Sequence, residues 1–208
     1  LVECVDWVVD EHAGIERSRP VWACVLIGGK SSRMGRPKHL LPSLDGRSWL
    51  ERSVEVIAPF VHGLVVSGAG ELPASVASLT RLPDIPGMNG PMSGLLAASR
   101  WQPRCSWLVA ACDMPLLSEQ GMCWLLENRR PGSWGRIPKL SGRQMGEPLF
   151  AWYDCRGIHQ FERLAMVGDL RVGHIGLHDK MEMADVPIQL ESIWKNINTP
   201  DELGKIII

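Results

Sequence analysis

Ala23, Cys24, Val25, Leu26 and Ile27 form an unbroken apolar run that ends on Gly28-Gly29. A strand with one wet face alternates apolar and polar residues, whereas a run with no polar break must be covered on both sides. That requirement points to a parallel sheet held between two layers of helices. The rest of the chain supplies matching pieces. Leu50, Val54 and Ile57 recur on one face of a predicted helix over 48–57, and 63–67 reads as a strand. A weaker strand is expected over 79–82, a helix over 93–101, a strand over 106–111 and a helix over 119–129. Strands alternating with helices predict an α/β fold: one three-layer, Rossmann-like wound sheet, mostly parallel, with right-handed crossovers.

The loop that leaves the first strand carries Gly28, Gly29, Arg33 and Lys38. Glycines let the backbone approach a phosphate or base without a Cβ in the way. Arg33 and Lys38 supply a planar fork and a point charge for an anion. Two familiar phosphate motifs fail on spacing. A P-loop needs a glycine five residues before its Gly-Lys pair, and that position is Cys24. A dinucleotide fingerprint needs GxGxxG, which Gly28, Gly29 and Gly35 do not keep.

In wound sheets ligands lie at the carboxyl ends of strands. Three further segments fall there. Ala110 to Pro115 is an apolar strand end followed by Asp113, which reads either as a carboxylate for a hard cation or as a cap or turn aspartate. Asp84 opens a stretch of turn-formers, Ile85 to Gly94, that leads into a helix. The C-terminal segments are Glu147-Pro148-Leu149-Phe150-Ala151 and Asn196 to Leu203, where Asn196 and Asn198 point to the same side of an extended stretch. Thr199-Pro200 then fits a helix start, with threonine as cap and proline at the first position.

Leu26 to Lys38, reading LIGGKSSRMGRPK, resembles the LxGGxSxRMGxxK signature of small nucleotidyltransferases, as found in molybdenum cofactor guanylyltransferases of the MobA type. Cys112-Asp113-Met114-Pro115 is similar to that family's CDxP motif, Asp84 to its aspartate before a GPxxG loop, and the stretch from Asn196 to its NxNTPxDL ending. Departures are Ile27 for the usual alanine, Pro37 before the lysine, and Ser67 or Gly68 in place of a nucleotide-contacting asparagine. The resemblance implies the nucleotide-diphospho-sugar transferase version of the fold. It implies transfer of GMP from GTP to the phosphate of molybdopterin or molybdenum-molybdopterin, with release of pyrophosphate and Mg²⁺ as cofactor. Arg33, Lys38 and Asp113 are then the catalytic residues. Leu26, Ile27, Gly28, Gly29, Lys38, Asp84 and Asp113 bind the nucleotide, Asp113 holds the metal, and Asn196 and Asn198 bind the acceptor. Relatives that use CTP tend to carry LAAG, so the glycine pair leans to guanine. Molybdenum-insertion proteins and apo-molybdoenzymes or their chaperones are the protein partners implied. A CTP-dependent cytidylyltransferase, a sugar-phosphate nucleotidyltransferase and a non-catalytic nucleotide-binding module are the alternatives.

A formal net charge of -1 gives no general attraction to nucleic acid or acidic membranes, so phosphate binding must be local. Six scattered cysteines without a CxxC pair fit reduced core residues in the cytoplasm. No stretch approaches the roughly 20 apolar residues of a membrane span. Residues 1–20 read as an N-terminal extension or linker and 21–208 as the nucleotidyltransferase domain. His174 and His178, four apart, read as surface histidines, because glycines weaken any helix that would pair them on a metal.

Overall fold

The computed structural model describes residues 19–28, 37–43, 45–127, 129–199, 202 and 204. Gly29 and Arg33, together with residues 1–18 of the stretch 1–20 read as an extension or linker, lie outside the described residues. Among the described residues seven strands form one sheet in the order β3-β2-β1-β4-β6-β5-β7. They are β1 Val21–Leu26, β2 Gly63–Ser67, β3 Thr80–Leu82, β4 Ser106–Ala111, β5 Gly135–Lys139, β6 Phe150–Tyr153 and β7 Met181–Asp185. All run in one direction except β6, which is antiparallel to both β4 and β5. The helices are α1 Trp49–Ile57, α2 Pro91–Trp101, α3 Glu119–Glu127, α4 Cys155–Ile158 and α5 Gln160–Met166.

The unbroken apolar run is explained by two cores. Ala23 and Val25 of β1 and Leu108 of β4 pack on one face with Leu50 and Ile57 of α1 and Met122 of α3. Cys24 and Leu26, with Val109, face the other way onto Leu95 and Leu96 of α2 and Phe161 of α5. Neighbouring residues of β1 thus enter opposite cores, and neither side tolerates a polar group. Fully burying a side chain of this size is worth about 1.5–3 kcal/mol, so both helical layers are needed to keep the central strands dry. The helix over 48–57 has its expected start: Ser48 Oγ accepts from Glu51 N at 3.2 Å and Glu51 Oε2 accepts from Ser48 N at 2.7 Å. This capping box satisfies two groups that a helix end otherwise leaves unpaired. The helix expected from 93 starts at Pro91, whose fixed φ suits the first position, and α3 ends at Glu127.

The second half of the sheet carries a weaker apolar pattern. β5 reads GRIPK and looks like a loop, yet Arg136 is buried between Glu182 of β7 and the face of Trp124, 4.5 Å from the ring centre. Pro138 is tolerated because β6 pairs only with Gly135 and Arg136, leaving no ladder partner there that needs its N–H. Trp49, Trp107 and Trp194 are fully buried, whereas Trp101 ends α2 with 38% of its surface exposed, edge-on to Trp22. Among the described residues no helix is long and apolar enough to cross a membrane, and every described cysteine is a free thiol.

Candidate active site

β1 sits between β2 and β4, so the sheet order turns around at the carboxyl ends of β1 and β4, and Cys112 N donates to Leu26 O at 3.1 Å across that point. Such a switch point leaves a crevice where successive crossovers depart to opposite sides. Gly28 leaves it from β1 and Asp113 from β4.

Lys38 begins a single 3-10 turn, Lys38–Leu40. The turn is anchored by buried neighbours: His39 Nε2 lies 2.9 Å from Glu71 O, and Leu41 packs with Trp49 and Ile197. From this base the Lys38 ammonium donates to Asp113 Oδ2 at 3.0 Å and to Asn198 Oδ1 at 2.7 Å. Residues 75 and 160 positions away thus meet one cation. Ile197 N also donates to Asp113 O at 2.9 Å, fastening the C-terminal segment directly beside the β4 end. Asn196 and Asn198 line the same cleft while Ile197 between them is buried, as the alternation requires. Glu202 Oε2 accepts from the N–H groups of Asn198 and Thr199 at 2.7 and 3.2 Å, and Thr199 Oγ1 accepts from Glu202 N at 3.3 Å. The expected threonine cap is therefore a second capping box, which also fixes the backbone of Asn198.

On the β2 side, Gly28 and Gly68 take φ of +107° and +119°. A Cβ on Gly68 would fall 1.8 Å from Ile27 O, so only glycine fits that crossing. Arg81 donates to Gly68 O through Nε and Nη2 at 3.0 and 2.6 Å. Leu26 and Ile27 are buried, with Leu26 O taken by Cys112 N and Ile27 N donating to Ser67 O. Gly28 is exposed. Asp84 is not drawn to Lys38 and Asp113. It lies past the end of β3, exposed, where Ser93 Oγ donates to it at 3.3 Å. Three strand spacings separate β3 from β4, on the order of 14 Å, so a ligand spanning Asp84 and Asp113 must be elongated.

Sequence reasoning did not assign a role to Glu147. Because β6 runs backwards, its first residues lie at the carboxyl edge of β4, and Ala111 N donates to Leu149 O at 2.7 Å. Glu147 therefore arrives beside Asp113, on a cleft of about 560 Å³ that Arg143, Asn196 and Asn198 also line. Burial, with the charge of Asp113 adding to it and Arg143 opposing, pushes the Glu147 carboxyl above its ordinary range. Burial likewise pushes the Cys112 thiol up to about 12, which leaves it protonated next to Asp113. Histidines 174 and 178 pair with Asp169 at 2.6 Å and Asp179 at 3.2 Å, not with each other on a metal. Among the described residues no group of three or more His, Cys, Asp or Glu could hold a metal ion.

The site thus has a flank on the order of 14 Å over β1–β3, a cation–carboxylate junction at Lys38 and Asp113, and an adjoining cleft that shares Asn198 with the junction. The sequence matches the profile of the MobA-like NTP transferase domain over residues 23–174. It is 34% identical over 194 residues to a Rhizobium meliloti (strain 1021) protein named molybdenum cofactor guanylyltransferase, spanning 87% of this chain and 88% of that protein. A Pelotomaculum thermopropionicum protein named probable molybdenum cofactor guanylyltransferase is 28% identical over 190 residues, spanning 87% of this chain and 89% of its own. The crystal structure of molybdopterin-guanine dinucleotide biosynthesis protein A from Archaeoglobus fulgidus superposes with a TM-score of 0.70 at 28% identity, covering 88% of this chain and 95% of that one. Fold, switch-point site and sequence agree: the chain belongs to the MobA-like NTP transferase family.

Proposed function

We propose that this protein transfers GMP from GTP to the phosphate of molybdopterin, or of molybdenum-molybdopterin, and releases pyrophosphate. The observation that carries this reading is the junction of Lys38, Asp113 and Asn198 between the carboxyl ends of β1–β3 and the cleft lined by Asn196 and Asn198. GTP lies along β1–β3 from Asp84 to Asp113, with Gly28 under it; Gly29 is assigned to nucleotide binding by the sequence signature alone. The acceptor occupies the cleft beside Asn196 and Asn198. An acceptor phosphate oxygen attacks the α-phosphorus in line, the bond to the β-phosphate oxygen breaks, and pyrophosphate leaves with that electron pair. No protein nucleophile is required, so the chain's work is positioning and charge neutralisation. Lys38, with Arg33 from the loop, offsets the negative charge that grows on the leaving group.

Asp113 is the residue to hold a divalent cation, magnesium in this reading. Its carboxylate is a hard oxygen donor, and the neighbouring Cys112 thiol, kept protonated by burial, is not a competing soft ligand. One carboxylate without a protein cage suits magnesium, which takes much of its coordination from phosphate oxygens and water. When bound, the ion supplies Lewis-acid neutralisation of the phosphates. Residues 21–208 form the transferase domain in this reading and 1–20 an extension. Molybdenum-insertion proteins and apo-molybdoenzymes or their chaperones are the partners that such a product calls for, and free thiols agree with a cytoplasmic setting.

A thermal-shift comparison of GTP, CTP, ATP and UTP with magnesium tests the nucleotide assignment. A ligand at 100 times its dissociation constant stabilises by about 2.7 kcal/mol, and GTP is expected to give the largest rise. A larger rise with CTP would overturn the guanine assignment.

A further inference from the structure

Glu147 is a carboxylate on a fixed stretch of backbone that opens on the cleft. A Cβ on Gly146 would meet Ile137 Cγ2 at 2.5 Å, so the chain passes there at glycine-only range. Glu147 N then donates to Pro138 O at 2.7 Å, and Tyr153 Oη donates to Pro148 O at 2.8 Å. Three consecutive residues are thus fixed, as a binding group requires of its support. The side chain itself is only 16% exposed, and its one ionic partner among the described residues is Arg143 at 3.5 Å, 64% exposed. Exposed pairs of that kind contribute little. Among the described residues no hydrogen bond reaches this carboxylate. On the same cleft the buried Asn196 Oδ1 also lacks a donor among them.

A mostly buried carboxylate that opens on a cleft without a protein hydrogen-bond donor keeps its oxygens free for a ligand. The ligand it suits presents two adjacent N–H groups in one plane, the geometry that matches two carboxylate oxygens. A 2-amino-4-oxopyrimidine edge does this through its ring N–H and exocyclic amine. Both substrates of the proposed reaction carry that edge, guanine in GTP and the pterin in the acceptor. The layout separates them: Glu147 stands on the β6 side of Asp113, away from Gly28, Gly68 and Asp84, in a cleft within the usual size range of small-molecule sites. Resting on the acceptor assignment above, we infer that Glu147 is a specificity residue that holds the 2-amino-4-oxopyrimidine edge of the acceptor's pterin.

Glu147→Gln keeps the shape and one acceptor oxygen but replaces the other with a donor. In steady-state pyrophosphate release its KM for molybdopterin is expected to rise about 10- to 100-fold. Its KM for GTP, and its preference for GTP over ITP, which lacks the 2-amino group, should stay as in wild type. Fluorescence titration of the free enzyme provides a second arm. Wild type should bind pterin more tightly than lumazine, which carries oxygen at that position, and the variant should not discriminate. The variant's melting temperature should not fall, since a carboxylate short of donors has been removed. An unchanged KM for molybdopterin, or wild-type binding of pterin and lumazine alike, overturns the inference. A raised KM for GTP with lost GTP-over-ITP preference assigns the carboxylate to guanine and overturns it too. If wild type releases no pyrophosphate with molybdopterin, the proposed reaction fails instead, and the pterin–lumazine titration still decides the role of Glu147.

Discussion

Lys38→Ala is expected to lower kcat for pyrophosphate release by about 10³-fold while leaving a folded protein. Removing one preorganised donor from a developing charge typically costs 10²–10³ in rate, and a full cation next to a triphosphate belongs at the upper end. The ammonium is held by two acceptors and a rigid turn, so it is oriented before substrate arrives. The turn does not depend on the ammonium, because His39 and Leu41 anchor it from the buried side. GTP binding in a thermal-shift assay should weaken but persist, since Gly28, Asp84 and Asp113 remain. Lys38→Arg should not rescue turnover, because a planar fork does not replace a compact charge between Asp113 Oδ2 and Asn198 Oδ1. Turnover within threefold of wild type in Lys38→Ala would remove Lys38 from the mechanism.

Asp113→Asn should lose activity to a similar degree, and added magnesium should not restore it. The amide keeps the side chain's shape and one oxygen to accept from Lys38, so the junction can remain assembled. It loses the charge that attracts a hard divalent ion. The backbone contribution of this residue, its carbonyl accepting from Ile197 N, is untouched by the change. Pyrophosphate release measured across a magnesium titration should therefore stay flat and low while the melting temperature stays near that of wild type. Recovery to wild-type rate at high magnesium would mean that the carboxylate is dispensable.

Much of this architecture was legible because burial constrains sequence. β1 and β4 are apolar at successive positions since each neighbouring pair enters two different cores. Ser48 with Glu51, and Thr199 with Glu202, mark helix starts by a local chemistry that needs no tertiary context. The alternation of Asn196, Ile197 and Asn198 told which side chains share a face, because Ile197 must be buried. The partnership of Lys38 with Asn198 was not legible, as it depends on a segment 160 residues away folding back beside β4. Glu147 was missed for a topological reason: only a strand running against its neighbours brings its leading residues to the reactive edge. β5 was hidden because Arg136 and Pro138 break the apolar signal, and both are accommodated by partners remote in sequence. The fully buried His39 likewise carried no pattern that distinguishes an anchor from a surface histidine.

Product mass measured after incubation with molybdopterin, magnesium and equal GTP and CTP tests the central claim most directly. The expected result is a molybdopterin adduct carrying GMP, with one pyrophosphate released per adduct. A CMP adduct in its place, or GTP bound with neither adduct nor pyrophosphate, would contradict guanylyl transfer by this protein.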